Sequence, residues 1–210
     1  SMQTRFLKAD APGAVEAVAA ILQDGGLVGI PTETVYGLAA NALDGTAVAK
    51  IFTAKGRPMD NPLIVHISHF EQIYELVREV PESAKKLADR FWPGPLTIIL
   101  PKSAQIPDEV SAGLDTVAVR FPYHPVARAV IDAAGVPLAA PSANLSGHPS
   151  PTTAAHVMND MDGRIEAVLD GGPCSVGVES TVLTLAEQPP RLLRPGGITL
   201  EQLKSVLGRV

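Results

Sequence analysis

The chain has 210 residues, of which 46% are hydrophobic, 19% charged and only 4% aromatic. A sizeable core is therefore available, built from Ala, Val, Leu and Ile, and general disorder is excluded. The formal net charge of −5 argues against broad coating of nucleic acid but leaves room for a local basic groove.

Ser1-Met2-Gln3 lacks the basic and apolar regions of a signal peptide, and Ser1 before Met2 is expected to be a cloning scar. Pro12 to Asp24 reads as a first helix, with Val15, Val18, Ala19 and Leu22 on one face and Gly25-Gly26 as its stop. Leu27 to Ile30 is a short apolar strand, followed at once by the polar run Pro31-Thr32-Glu33-Thr34. A second helix, about Thr46 to Ala54, delivers Lys55-Gly56-Arg57-Pro58.

In an extended segment Lys55 and Arg57 would point the same way, and two cations on one side of a rigid turn suit a phosphate chain. The alternative is structural. A lysine at a helix C-terminus complements the dipole, and glycine is the usual residue just beyond it.

Leu63 to Ile67 is a strand that contains His66, either a core histidine or a ligand group. Helices follow at about Phe70 to Val77 and Pro81 to Phe91, and Trp92-Pro93-Gly94-Pro95 breaks the second. Leu96 to Leu100 and Thr116 to Phe121 are strands. Arg120 ends the latter, where it needs either a structural acid or a ligand carboxylate.

His124 to Ala134 is a helix stopped by Gly135, and Pro137 to Ala140 is a strand that runs into Pro141-Ser142-Ala143-Asn144. Ser150 is a candidate cap for a helix from about Pro151 to Met158. Ala167 to Leu169, Ser180 to Leu185 and Arg191 to Leu193 are strands, and Thr199 with Gln202 forms a capping-box pattern for the last helix. Helices alternating with short strands, then late strands without helices between them, predict a single α/β domain over residues 1–210. Its ordered core is expected over about 5–207, with a mixed sheet.

The standard nucleotide loops, the nucleophile elbow and zinc-ligand spacings are all missing from the sequence. The single cysteine, Cys174, has no internal disulfide partner and no identifiable basic partner to activate it, and suits a reducing cytoplasm. No apolar run approaches the roughly 20 residues that span a bilayer. What repeats is a pattern of polar residues at strand ends, where ligands bind in open α/β sheets.

Assembled in order, these motifs resemble the YrdC domain family, whose members include L-threonylcarbamoyladenylate synthases. The matching pieces are Pro31 to Leu38, Lys55 to Pro58, Asn61-Pro62-Leu63, Trp92 to Thr97, Val117 to Arg120, Pro141 to Gly147, Ser180-Thr181-Val182 and Leu193 to Gly196. The resemblance implies a twisted mixed parallel/antiparallel sheet flanked by helices, with a concave basic cleft. It implies conversion of L-threonine, bicarbonate and ATP to threonylcarbamoyl-AMP and pyrophosphate, with Mg2+ arriving with ATP.

It also implies a downstream threonylcarbamoyl-transferase complex that uses the product on tRNA, weak or no direct RNA binding, no membrane association and a cytoplasmic location. By motif, the threonine-binding positions are Thr34, His66, Arg120, Ala140 (through its backbone) and Ser180. The ATP-binding positions are Lys55, Arg57, Asn61, Thr116, Ser142, Ser150 and Arg194, with Lys55 and Arg57 the catalytic pair and no protein metal site. Longer family members carry a second, C-terminal domain, so a chain ending at Val210 is expected to be a short natural form or a truncated one. Two other readings stand beside the synthase: a carbamoyl-adenylate-handling domain as in hydrogenase maturation, and a non-catalytic RNA-binding module.

Overall fold

The computed structural model describes residues 2–210; Ser1, the expected cloning scar, lies outside the described residues. In chain order the strands are β1 (Arg5–Lys8), β2 (Val28–Pro31), β3 (Tyr36–Asn41), β4 (Ile64–His66), β5 (Leu96–Pro101), β6 (Thr116–Arg120), β7 (Leu138–Ala139), β8 (Ala167–Asp170), β9 (Thr181–Thr184) and β10 (Arg191–Arg194). The helices are α1 (Ala14–Gln23), α2 (Gly45–Lys55), α3 (Ile73–Leu76), α4 (Glu82–Phe91), α5 (Asp108–Ser111), α6 (Pro125–Ala134), α7 (Ala154–Met161) and α8 (Leu200–Leu207). The strands join in one sheet in the order β1-β8-β2-β3-β7-β4-β6-β5-β9-β10.

The pairs β1–β8, β8–β2, β4–β6 and β5–β9 are parallel and the rest antiparallel, so the sheet is mixed as expected. Strand alternation sends successive side chains to opposite faces. Ala39, Ala167 and Leu169 pack with α1 and α6, while Leu38, Ala40 and Val168 join the larger core on the other face.

Local chemistry explains most boundaries. The Asp44 carboxylate caps α2, accepting from the amides of Thr46 (3.1 Å) and Ala47 (3.2 Å). Gly56 ends α2 with φ +66°, a left-handed conformation that glycine takes without strain. Thr199 and Gln202 form the expected capping box on α8.

Several features differ from the sequence reading, among them α5, a single turn in the connection between β5 and β6. β3 is a strand buried on both faces, and its Ala- and Gly-containing run shows no alternation. β1 is a short exposed edge strand with no apolar face to betray it. The Phe70 to Val77 stretch divides into a 3-10 turn over Phe70–Gln72 and the single-turn α3. α7 starts at Ala154, capped by the Thr153 hydroxyl on the His156 amide (3.1 Å), so Ser150 is not its cap.

Candidate active site

The polar run after β2 is the tip of the β2–β3 hairpin, since Pro31 pairs with Tyr36 across the four residues Thr32 to Val35. Thr32 Oγ1 pins that tip by accepting from the amides of Thr34 and Val35, both at 3.2 Å, and donating to the Val35 carbonyl at 2.7 Å. β4 and β6 run parallel with His66 opposite Arg120, so both strands end at the same level as the hairpin tip. The chain leaving β7 lies along β3, where the Leu38 amide donates to Pro141 O (2.7 Å) and the Ala143 amide to Tyr36 O (2.9 Å).

One cleft results. It encloses about 40 Å3 of water-accessible space, and Thr34, His66, Arg120, Ala140, Ser142, Ser180 and Arg194 all line it. The five expected threonine-side positions and two of the nucleotide-side positions are thus brought together.

Arg120 is only 3% exposed. Burial disfavours its charge, and the Glu33 carboxylate beside it restores it. Nη1 donates to Thr34 Oγ1 at 2.9 Å and Nε to the Gly94 carbonyl at 3.2 Å, while Nη2 is paired with Glu33. The structural acid that Arg120 needed is therefore Glu33, which sequence reasoning left outside the site. Glu33 is hidden between two threonines that were read as ligands, and no local spacing links it to Arg120.

His66 is buried, and its Nδ1 lies 3.1 Å from the Ile64 carbonyl, so that nitrogen carries the hydrogen. Burial, with Arg120 nearby, pushes its pKa down to about 3 and keeps the ring neutral. The Ala140 amide already donates to Ile64 O (3.1 Å), which leaves its carbonyl for any ligand.

Ser180 Oγ lies 2.7 Å from Thr97 Oγ1 and accepts from Arg194 Nη2 at 3.1 Å. Arg194 also donates to Ser180 O (2.9 Å) and pairs with Glu179 (3.2 Å) at the surface. This approach requires Gly196, since a Cβ there would sit 2.4 Å from the Thr181 amide nitrogen.

Lys55 departs from the expected extended geometry. It is the last helical residue of α2, so strand alternation does not relate it to Arg57. Its side chain is buried at 2% exposure, and Nζ donates to the Ser142 carbonyl and to the Asn144 carbonyl at 2.9 Å. Its own backbone carbonyl accepts from the Ser146 amide (2.9 Å), so Lys55 fastens the whole 142–146 loop to the end of α2. Burial, then repulsion from Arg57, lowers its pKa to about 8.

Arg57 is half-buried and Asn61 exposed on the turn that follows. Ser150 precedes Pro151, whose carbonyl accepts from the Tyr36 amide at 2.8 Å. Thr116 starts β6 while Arg120 ends it, about 13 Å away at ~3.3 Å per residue, and Thr116 does not line the cleft. The Cys174 thiol is pushed up to about 11, chiefly by burial, which leaves it protonated and unreactive at neutral pH.

The fold and cleft define a class: an α/β protein whose strand ends hold a paired arginine, a neutral histidine and hydroxyls beside a second group of cations. A family profile described as "Telomere recombination", covering Sua5, YciO and YrdC, matches residues 20–196, and the chain belongs to that family. Threonylcarbamoyl-AMP synthase of Pyrococcus abyssi is 57% identical over 93% of this chain and 58% of its own length. The Bacillus subtilis protein of the same name is 57% identical over 93% of this chain and 57% of its own length. P. abyssi Sua5 solved in complex with L-threonine superposes with a TM-score of 0.94 at 53% identity, covering 99% of this chain and 61% of that one. The chain thus spans a little under two thirds of these relatives.

Proposed function

We propose that the chain is an L-threonylcarbamoyladenylate synthase, making threonylcarbamoyl-AMP and pyrophosphate from L-threonine, bicarbonate and ATP. The observation that carries the reading is the convergence of Thr34, His66, Arg120, Ala140 and Ser180 in one cleft with Ser142 and Arg194. The names of the relatives support it.

Arg120 holds the threonine carboxylate, with the Thr34 and Ser180 hydroxyls and the Ala140 carbonyl shaping the rest of the pocket. The neutral threonine amine bonds to the carbon of CO2 with release of a proton to solvent, or to that of bicarbonate with loss of water, to give a carbamate. A carbamate oxygen then bonds to the α-phosphorus of ATP as the bond to pyrophosphate breaks. Such transfers depend on positioning and charge neutralisation, and an ionised carbamate needs no protein base. Lys55, Arg57 and Arg194 neutralise the phosphates and the departing pyrophosphate, and Asn61, Ser142 and Ser150 hold the nucleotide. Thr116 would meet ATP only if the nucleotide reaches along β6 to its start.

Mg2+ would arrive with ATP, held by the substrate rather than by the protein, and would supply further neutralisation of phosphate charge. Glu33 and Glu179, the acids at the cleft, are each engaged by an arginine, which fits an ion held in that way. The product passes to a threonylcarbamoyl-transferase complex acting on tRNA in the cytoplasm, and the net charge of −5 fits weak direct binding of RNA.

The test is pyrophosphate release from folded protein with ATP and Mg2+. Release is expected to require both threonine and bicarbonate. Release equal to that of a threonine-free control would refute the synthase reading.

A further inference from the structure

A guanidinium carries five N–H donors. Arg120 donates to Gly94 through Nε and to Thr34 through Nη1, while Nη2 lies against the Glu33 carboxylate as an ion pair, so part of the donor capacity of this cleft-lining group is not spent inside the protein. Glu33 is not free to swing aside. Its Oε2 accepts from the Tyr123 amide (3.1 Å), its carbonyl accepts from the Val176 amide (2.8 Å), and the residue is only 4% exposed. Arg120 therefore lines the cleft with its charge already cancelled by a fixed acid.

The other cations are arranged differently. Arg194 pairs with Glu179 where both side chains are more than a third exposed to water, and Lys55 is held by carbonyls rather than by an acid. At the amino-acid end a buried acid cancels the charge, whereas at the phosphate end Arg194 has only a water-exposed ion pair and Lys55 has no acid on its ammonium.

A buried guanidinium without its acid would hold any oxyanion that reached it, because charge alone would supply the affinity. Pyrophosphate is released at every turnover of the proposed reaction, and ATP brings a chain of phosphates to the same cleft. We infer that Glu33 is a specificity-determining residue: by cancelling the charge of Arg120 it keeps inorganic oxyanions out of the amino-acid pocket. A carboxylate is then accepted only when the rest of the ligand also meets Thr34, His66 and Ser180. This inference rests on the reading of the cleft as the threonine site.

Calorimetry of threonine binding without ATP tests it, with inorganic phosphate or sulfate at millimolar concentration against sodium chloride of matched ionic strength. Wild-type threonine affinity is expected to be unmoved by either anion. In Glu33→Gln, which keeps the shape and loses the charge, both anions are expected to compete, weakening apparent threonine affinity about tenfold to a hundredfold. Competition in the wild type, or its absence in a folded Glu33→Gln protein, overturns the inference. If that variant does not fold, Glu33→Asp, which draws the carboxylate back from Arg120, takes its place: anion competition is expected in it, and its absence overturns the inference. A wild type that binds no threonine removes the underlying reading and the inference with it, a result distinct from threonine binding with anion competition.

Discussion

Lys55 has a structural role beyond the helix-end one that its position suggested. It ends α2 before a left-handed glycine, as a helix-end cation does, yet its ammonium crosses to the Ser142 and Asn144 carbonyls. Removing it strands buried acceptors, so Lys55→Ala is expected to cost about 1–3 kcal/mol in thermal or denaturant melts, more than a dipole effect alone. With its pKa near 8, the ammonium loses its proton as pH rises through that value, and only the protonated form neutralises phosphate. Wild-type kcat/KM for ATP, which reports the free enzyme, is therefore expected to fall above pH 8. The residual activity of Lys55→Arg should show no such fall, because an arginine stays charged.

Arg120 was legible as a buried cation in need of a partner. Which partner it has was not, because the acid belongs to a hairpin far away in sequence. That pairing alters what a single substitution reports. Arg120→Ala leaves Glu33 buried and unpaired, with an expected cost of about 3–5 kcal/mol, whereas Arg120→Met with Glu33→Gln should cost distinctly less. A double-mutant cycle by chemical denaturation checks this, and additive costs would mean that the two charges are not coupled.

At the scale of elements, the strongly patterned segments were readable: α1, α4, α6, α8 and the strands β2, β4, β5 and β6 all lie close to where periodicity and stop signals put them. β3 was not, because burial on both faces erases alternation, and small residues in such a run look like a connection. The start of α7 slipped because Ser150-Pro151 imitates a cap followed by a first-turn proline, while the chain stays extended until Thr153. Thr153→Ala should therefore lower stability by about 0.5–2 kcal/mol, as loss of a helix cap does. Ser150→Ala should leave the melting temperature unchanged. Melting of both variants under one set of conditions tests the assignment, and the reverse ranking would restore Ser150 as the cap.

Across the whole molecule, alternation of helices and strands was enough for the α/β class and for a mixed sheet, but not for the strand order. β5 pairs in parallel with β9, and β4 in parallel with β6, through crossovers that no local pattern encodes. The convergence of polar strand ends was visible, while the neutralising acids Glu33 and Glu179 were not, since pairing is a property of the folded chain. The same strand order sets a timetable. By Asp170 a ribosome has made β1 to β8 and every helix except α8, yet Ser180 and Arg194 are still unmade. β5 waits with one edge open until β9 docks on it, and β10 follows. Contacts so distant in sequence form slowly, so during synthesis most of the scaffold is present before the cleft is complete, and the cleft closes only after Arg194 has been made.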